Sequence, residues 1–207
     1  MRMKAKISWI LFFCIVTCVS SIFSQGRDSW QQPERVMDAI GVKAGMTIGE
    51  VGAGKGYFTF KLARRVGNGG KIFANDIDQA AMASIESRCK DEGIKNIEII
   101  QGKIDDPCFP EAKMDMVFMS FVFHLLEKPV ELLKNLKPSM KPEATLVIID
   151  PRKARITPQV EKMKIIEPSA EAGFELLRKE TFVDRANIYI FRQKDAIGKN
   201  VLPSKPY

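Results

Sequence analysis

One stretch limits what this chain can fold into more than any other: Ile48-Gly49-Glu50-Val51-Gly52-Ala53-Gly54-Lys55-Gly56-Tyr57-Phe58. Apolar residues run into it as they do at the end of a buried strand. An amphipathic stretch from about Tyr57 to Val66 leaves it with the three and four spacing of a helix. Glycines between a strand and a helix let a ligand approach the main chain closely, and the free N–H groups of the helix start favour a polar or anionic group there.

The rest of the chain repeats this alternation. Strands are predicted at Met46 to Val51, Lys71 to Asn75, Ile97 to Gln101, Met114 to Ser120 and Leu146 to Asp150, with helices near Gln79 to Glu92 and Val130 to Leu136 between them. An opening helix is predicted from Pro33 to Ile40, with Pro33 in its first turn and Gly41 ending it. Two last strands, Glu175 to Thr181 and Asn187 to Phe191, are joined by the short turn Val183 to Ala186 and imply an antiparallel hairpin at the end of an otherwise parallel sheet. At 207 residues and 45% hydrophobic the chain is one domain with a core, with neither the composition of a disordered chain nor that of a polytopic membrane protein.

The N-terminus stands apart. Arg2, Lys4 and Lys6 precede an uncharged run from Ile7 to Gly26 that is almost wholly apolar between Trp9 and Val19. A basic start, a short apolar centre and the small residues Ser20, Ser21 and Ser24 are expected of an export signal over 1–24, cleaved after Ser24 or Ser21. The competing reading is an uncleaved membrane anchor, and both put the domain outside the cytoplasm. The segment also bears on charge. It holds three of the 32 basic residues and none of the 25 acidic ones, so its removal takes the net charge from +7 to +4, that is 29 against 25. A nucleic-acid partner loses its main support.

Three ligand chemistries compete for the glycine loop. A dinucleotide fingerprint counted from Gly52 places its third glycine at Tyr57 and fails there. A phosphate loop running from Gly49 to Lys55 ends on Gly56, where a hydroxyl for magnesium is required. The pattern that remains is E-x-G-x-G-x-G, carried by Glu50, Gly52, Gly54 and Gly56, and here the sequence resembles the class I S-adenosylmethionine-dependent methyltransferases. Ile72-Phe73-Ala74-Asn75-Asp76 is similar to that family's second motif, an acid at a strand end. Met114 to Ser120, followed by Phe121 to Leu126, resembles its fourth strand. Lys137-Pro138 to Leu146 resembles the junction into the fifth strand, Ala172-Gly173-Phe174-Glu175 the entry to the final strand pair, and Trp30-Gln31-Gln32-Pro33 a leader found in one branch.

The resemblance covers roughly residues 27–193 and leaves 194–207 as a flexible tail. It implies an α/β fold: a Rossmann-like, doubly wound, mostly parallel seven-stranded sheet with a C-terminal antiparallel hairpin strand. It also implies S-adenosyl-L-methionine as the methyl donor and a small-molecule acceptor. In that role Glu50 would attract the donor's ammonium, and the main chain of Gly52, Ala53, Gly54 and Gly56 would approach its methionyl part. Asp76 would hold the ribose and Ile77 pack the adenine, with Asp105 or Asp106 near the adenine amino group and Ser120 at the fourth strand's end. Asp105 and Asp106 enter because Gly102 is followed by Lys103 where the family often has an acid. Glu143-Ala144 stands where the family often has Gly-Gly, so that turn must take another geometry.

Each assignment has a structural rival. Asp76 and Asp78 both suit the start of the next helix, Asp78 especially. Glu50 within an apolar strand has a weak structural explanation, since an unpaired buried carboxylate is costly. Tyr57 and Phe58 are read as packing, and Arg152, Lys153 and Arg155 as a solvated loop. His124, the only histidine, follows a strand end on the ligand-bearing side and is a candidate general base; the alternative is a satisfied structural histidine. No zinc-ligand set exists. Cys89 lies about 15 Å along its helix from the ligand-bearing edge, Cys108 lies at that edge, and a bridge needs Cα atoms within about 7 Å, so two free thiols are expected. Two other functions stay open: an aminopropyltransferase-like enzyme, which would need an acidic pair that is not evident, and a nucleoside-binding module that has lost turnover.

Overall fold

The computed structural model describes residues 26–152 and 162–194. The segment 1–24 read as an export signal or anchor, nearly all of the tail at 194–207, and Lys153 and Arg155 of the basic loop therefore lie outside the described residues. Helical residues 26–31 lead into α1 (Pro33–Ile40), which Gly41 closes in the left-handed conformation. There follow β1 (Thr47–Val51), α2 (Thr59–Val66), β2 (Lys71–Asp76), α3 (Gln79–Glu92), β3 (Ile97–Gln101), β4 (Met114–Ser120), α4 (Pro129–Leu136) and β5 (Met140–Pro151). A π-helical turn, Lys162–Ile166, runs into α5 (Glu167–Glu171), and β6 (Phe174–Glu180) and β7 (Ala186–Gln193) complete the chain.

The seven strands form one sheet in the order β3-β2-β1-β4-β5-β7-β6. Pairings from β3 across to β5 are parallel, and β7 runs antiparallel to both β5 and β6. The expected mostly parallel, doubly wound sheet with its antiparallel C-terminal hairpin is therefore the observed one. Its order reverses direction between β1 and β4, and ligands bind at such a reversal, outside the carboxyl ends of the strands.

The sheet is covered on both faces, which is why its strands read as near-continuous apolar runs. Ile48, Ile72, Met116 and Phe118 pack with Val36 and Met37 of α1 and Leu62 of α2. Val51, Val117, Met119 and Ile148 pack with Leu132, Leu133 and Leu136 of α4. Asp78 caps α3 by accepting from the N–H groups of Ala80 (2.8 Å) and Ala81 (3.3 Å), and Gly93 closes it.

Three departures from the sequence reading have identifiable reasons. β5 starts six residues early, at Met140 rather than Leu146: Met140 pairs with Met114, and the register then slips so that Met116 faces Thr145. Residues 141–144 are accommodated as an irregularity in an extended chain, with Ala144 buried in the core; the Glu143-Ala144 segment makes no turn. Tyr57 and Phe58 belong to the loop before α2 and not to the helix. The hairpin turn is 181–185, since Ala186 already pairs with Pro151. Val183 within it is buried in the core, so the turn is less polar than its sequence suggests. The helical turns at 162–171 were not anticipated at all.

Candidate donor and acceptor site

The carboxyl ends of β1, β2 and β4 meet around a cleft of about 320 Å³ lined by Gly52, Asp76, Ile77, Ile104, Val122 and Leu125, among others. Three of the large apolar side chains that the fold leaves exposed, Ile77, Ile104 and Leu125, gather here. Apolar surface collected in one concave place marks a ligand site more than scattered exposure does.

The glycine loop is shaped by its neighbours. Gly52 has φ +71°, and a Cβ on it would lie 2.5 Å from the Val122 side chain, so the end of β4 rests directly on the loop. Gly56 has φ +84°, and a Cβ there would run into Phe60. The Gly54 N–H donates to Asp76 Oδ2 (2.7 Å), and the Asp78 N–H donates to Asp76 Oδ1 (3.0 Å). Asp76 is thus not the cap of α3. Its carboxylate ties the end of β2 to the loop on β1 and keeps lone pairs on each oxygen for a further donor.

The leader 26–31 clamps the same loop from outside. Asp28 accepts from the Tyr57 hydroxyl (2.6 Å) and pairs with Lys61 (2.9 Å), while the Arg27 guanidinium lies 3.9 Å over the Tyr57 ring. Desolvation works against the Asp28 carboxylate, but the Tyr57 and Lys61 hydrogen bonds outweigh it and hold Asp28 below its ordinary value. Burial, followed by that same carboxylate, pushes the Tyr57 hydroxyl up. Trp30 packs its edge on Phe121, with ring centroids 5.5 Å apart.

The remaining predicted residues are placed as follows. Glu50 is buried behind the cleft, among sheet and α2 side chains, and accepts from Thr59 Oγ1 (2.5 Å). Desolvation raises it to about 8 against the Thr59 hydrogen bond, with the Asp76 charge adding to the rise. Asp105 pairs with Lys128 (3.2 Å) and Asp106 accepts from the Cys108 N–H (2.7 Å). Lys103 and Ile104, rather than either acid, line the cleft. Ser120 ends β4 with its Oγ buried and unpartnered. Cys89 and Cys108 are free, as expected.

His124 sits in a 3-10 turn, Phe123–Leu125, immediately after β4. Its Nδ1 lies 2.8 Å from Asp150 Oδ1, and that oxygen also accepts the His124 main-chain N–H (3.4 Å). Asp150, at the end of β5, is only 6% exposed. A buried carboxylate on Nδ1 selects the tautomer that leaves Nε2 to accept a proton. Nε2 has no partner among the described residues. Sequence reasoning missed Asp150, since β5 was recognised but its adjacency to the end of β4 was not. It also missed Gln31 and Asn187, each buried with one side-chain oxygen unpartnered.

The residues fit S-adenosylmethionine. Main-chain donors and tight glycines face Asp76, an apolar slot opens beside Ile77, and the unpartnered Ser120 Oγ at the end of β4 can accept a hydrogen bond from a ligand's amino group.

Comparison with known proteins agrees with this geometry. A family model described as a methyltransferase domain matches residues 42–187. The ubiquinone/menaquinone biosynthesis C-methyltransferase of Escherichia fergusonii is 27% identical over 123 residues, 59% of this chain and 49% of that protein. The chain spans about half the length of the curated relatives it matches. The crystal structure of a SAM-dependent methyltransferase from Aquifex aeolicus superposes with a TM-score of 0.72 at 28% identity, covering 80% of this chain and 91% of that one. A geranyl diphosphate C-methyltransferase from Streptomyces coelicolor shares the fold, with a TM-score of 0.63 at 12% identity over 78% and 79% of the two chains.

Proposed function

The chain belongs to the methyltransferase domain family, and from that premise we propose that it is an S-adenosyl-L-methionine-dependent methyltransferase acting on a small organic molecule. The observation that carries the reading is the joint placement of Gly52, Asp76 and the Ile77 slot around one cleft at the sheet's reversal point, with the Gly54 N–H bonded to Asp76. Bound there, S-adenosylmethionine would supply a methyl group made electrophilic by its sulfonium.

The chain's own residues bind, orient and handle the proton. Asp76 accepts the ribose hydroxyls, and Ile77 with Leu125 flanks the adenine. Ser120 Oγ accepts from the ammonium, while Glu50 stays buried on the Thr59 hydroxyl. His124, held by Asp150, takes the proton from an acceptor hydroxyl. Methyl transfer otherwise depends on alignment.

Calorimetry with S-adenosylmethionine, S-adenosylhomocysteine, NAD and ATP tests the reading. Binding of the first two alone is expected. Absence of both refutes it, and binding without methyl loss across an acceptor panel favours a non-catalytic donor-binding module. Asp76→Ala should weaken S-adenosylhomocysteine roughly 10- to 100-fold, the effect of losing charged hydrogen bonds to the ribose.

The sequence of residues 1–24 supports export of the domain by a signal or an anchor. Sequencing the N-terminus of the protein recovered outside the cytoplasm separates the two; recovery only from cytoplasm overturns both.

A further inference from the structure

A second cavity, of about 260 Å³, opens on the other side of the turn that carries His124. Phe123, Leu126, Ile165 and Tyr189 give it apolar walls, and His124, Asp150 and Asn187 give it polar ones. Leu126 lines both this cavity and the donor cleft, so the two adjoin. The size suits a single substituted ring and is below that of a drug-sized pocket.

Beside the cations Arg152 and Lys164, its polar lining includes two acceptors with no donor among the described residues, Asn187 Oδ1 and the Nε2 of His124. Asn187 is 6% exposed and donates through Nδ2 to the Tyr189 hydroxyl (3.2 Å), while its Oδ1 is buried without a partner. Asn187 is the direct cross-strand neighbour of Asp150, so its amide oxygen and His124 Nε2 stand at the same sheet edge. A buried acceptor without a donor is costly, and a ligand that brings a donor removes the cost. The Arg152 guanidinium is held by the main-chain carbonyls of Thr181 (3.2 Å) and Val183 (2.7 Å) of the hairpin turn.

We propose that this cavity is the acceptor pocket and that it takes a small phenol carrying a second hydrogen-bond donor. The reacting hydroxyl meets His124 Nε2 and the second donor meets Asn187 Oδ1. The inference rests on the donor reading above only for the transfer step; the pocket's ligand chemistry stands apart from it. In that step the acceptor oxygen bonds to the methyl carbon. The bond from that carbon to sulfur breaks with its electron pair left on sulfur, and the phenolic proton passes to Nε2 and on to water. Asn187 is a positioning residue.

The test is calorimetry of the full chain with phenol, catechol, resorcinol, 2-aminophenol and 1,2-dimethoxybenzene, after the S-adenosylhomocysteine affinity has been measured on the same sample. The molecules with two donors should bind roughly tenfold more tightly than phenol, and dimethoxybenzene should not bind. Asn187→Leu and Asn187→Ala should reduce the two-donor preference to the level of phenol, with the S-adenosylhomocysteine affinity and the circular dichroism of the wild type retained as the check on folding. No binding by any phenol, or a two-donor preference unchanged in a folded Asn187 variant, overturns the proposal. If S-adenosylhomocysteine binds and no phenol does, this inference alone falls. If the phenols bind as expected and S-adenosylhomocysteine does not, the donor reading falls and the pocket assignment stands.

Discussion

Replacing Glu50 with Gln should make the protein less sensitive to alkali. Glu50 is 3% exposed and accepts from the Thr59 hydroxyl, with desolvation lifting it from 4.5 to about 8. In the folded state the side chain therefore keeps its proton over a range in which the unfolded chain has lost it. The folded state binds more protons between those values, so stability falls as pH rises through that window. The contribution is fully present below pH 4.5 and gone above about pH 8. A shift of this size corresponds to about 5 kcal/mol across the window. Glu50→Gln keeps an acceptor for Thr59 and has no proton to lose, so the variant should lack that slope. Urea unfolding of both proteins at half-unit intervals from pH 4.5 to 8.5 reads the difference directly, because every other carboxylate is common to the two. Curves that stay parallel within about 1 kcal/mol would mean that Glu50 is ionised in the folded protein, and the argument from burial would be wrong.

Gly52→Ala forces a Cβ to 2.5 Å from Val122 at φ +71°, and should cost about 1–3 kcal/mol and weaken S-adenosylhomocysteine binding. A variant with wild-type melting temperature and affinity would show that the loop has room. His124→Ala should lower turnover by about 10²- to 10⁴-fold with donor affinity unchanged. Asp150→Asn should lower kcat through the wrong imidazole tautomer and leave S-adenosylhomocysteine affinity intact. If both variants turn over the true acceptor at wild-type rate, His124 has no part in the mechanism. Cys108, exposed, should be alkylated before Cys89, whose thiol is partly buried and pushed up by desolvation; peptide mapping after timed iodoacetamide treatment reads the order, and the reverse order contradicts the placement.

What was legible in the sequence was local. The strand and helix on either side of Gly52, the acid at the end of β2 and the Asp78 cap all follow from spacing within a few residues, and the structure places each of them there. What was not legible depends on which strands become neighbours. His124 and Asp150 are 26 residues apart and meet because β4 and β5 pair in the register Ser120 to Ile149. Asn187 comes beside Asp150 only because β7 inserts between β5 and β6. The segment 162–171 escaped notice because a π-helical turn followed by a five-residue helix has no sustained 3.6 period to detect. The leader was legible only as the motif Trp30 to Pro33; the contacts of Asp28 with Tyr57 and of Trp30 with Phe121 depend on the fold.

The short segment 121–126 explains why one chain end serves two cavities. Phe121 leaves β4 in the left-handed region, at φ +59°, yet its N–H still donates to the Ile149 carbonyl (2.8 Å), so the chain turns sharply without losing its hold on β5. Trp30 packs on its ring and helps to hold that unfavourable conformation. The 3-10 turn then follows, and with three residues per turn it brings positions three apart onto the same side. Val122 and Leu125 accordingly line the donor cleft, while Phe123 and Leu126 line the second cavity, where His124 is held by Asp150. An α-helical exit from β4 would place residues three and four apart on one broad face and could not divide them so cleanly. Leu126 is the residue common to both linings. On the proposed assignment of donor and acceptor, the methyl group crosses beside Leu126, where the two cavities adjoin.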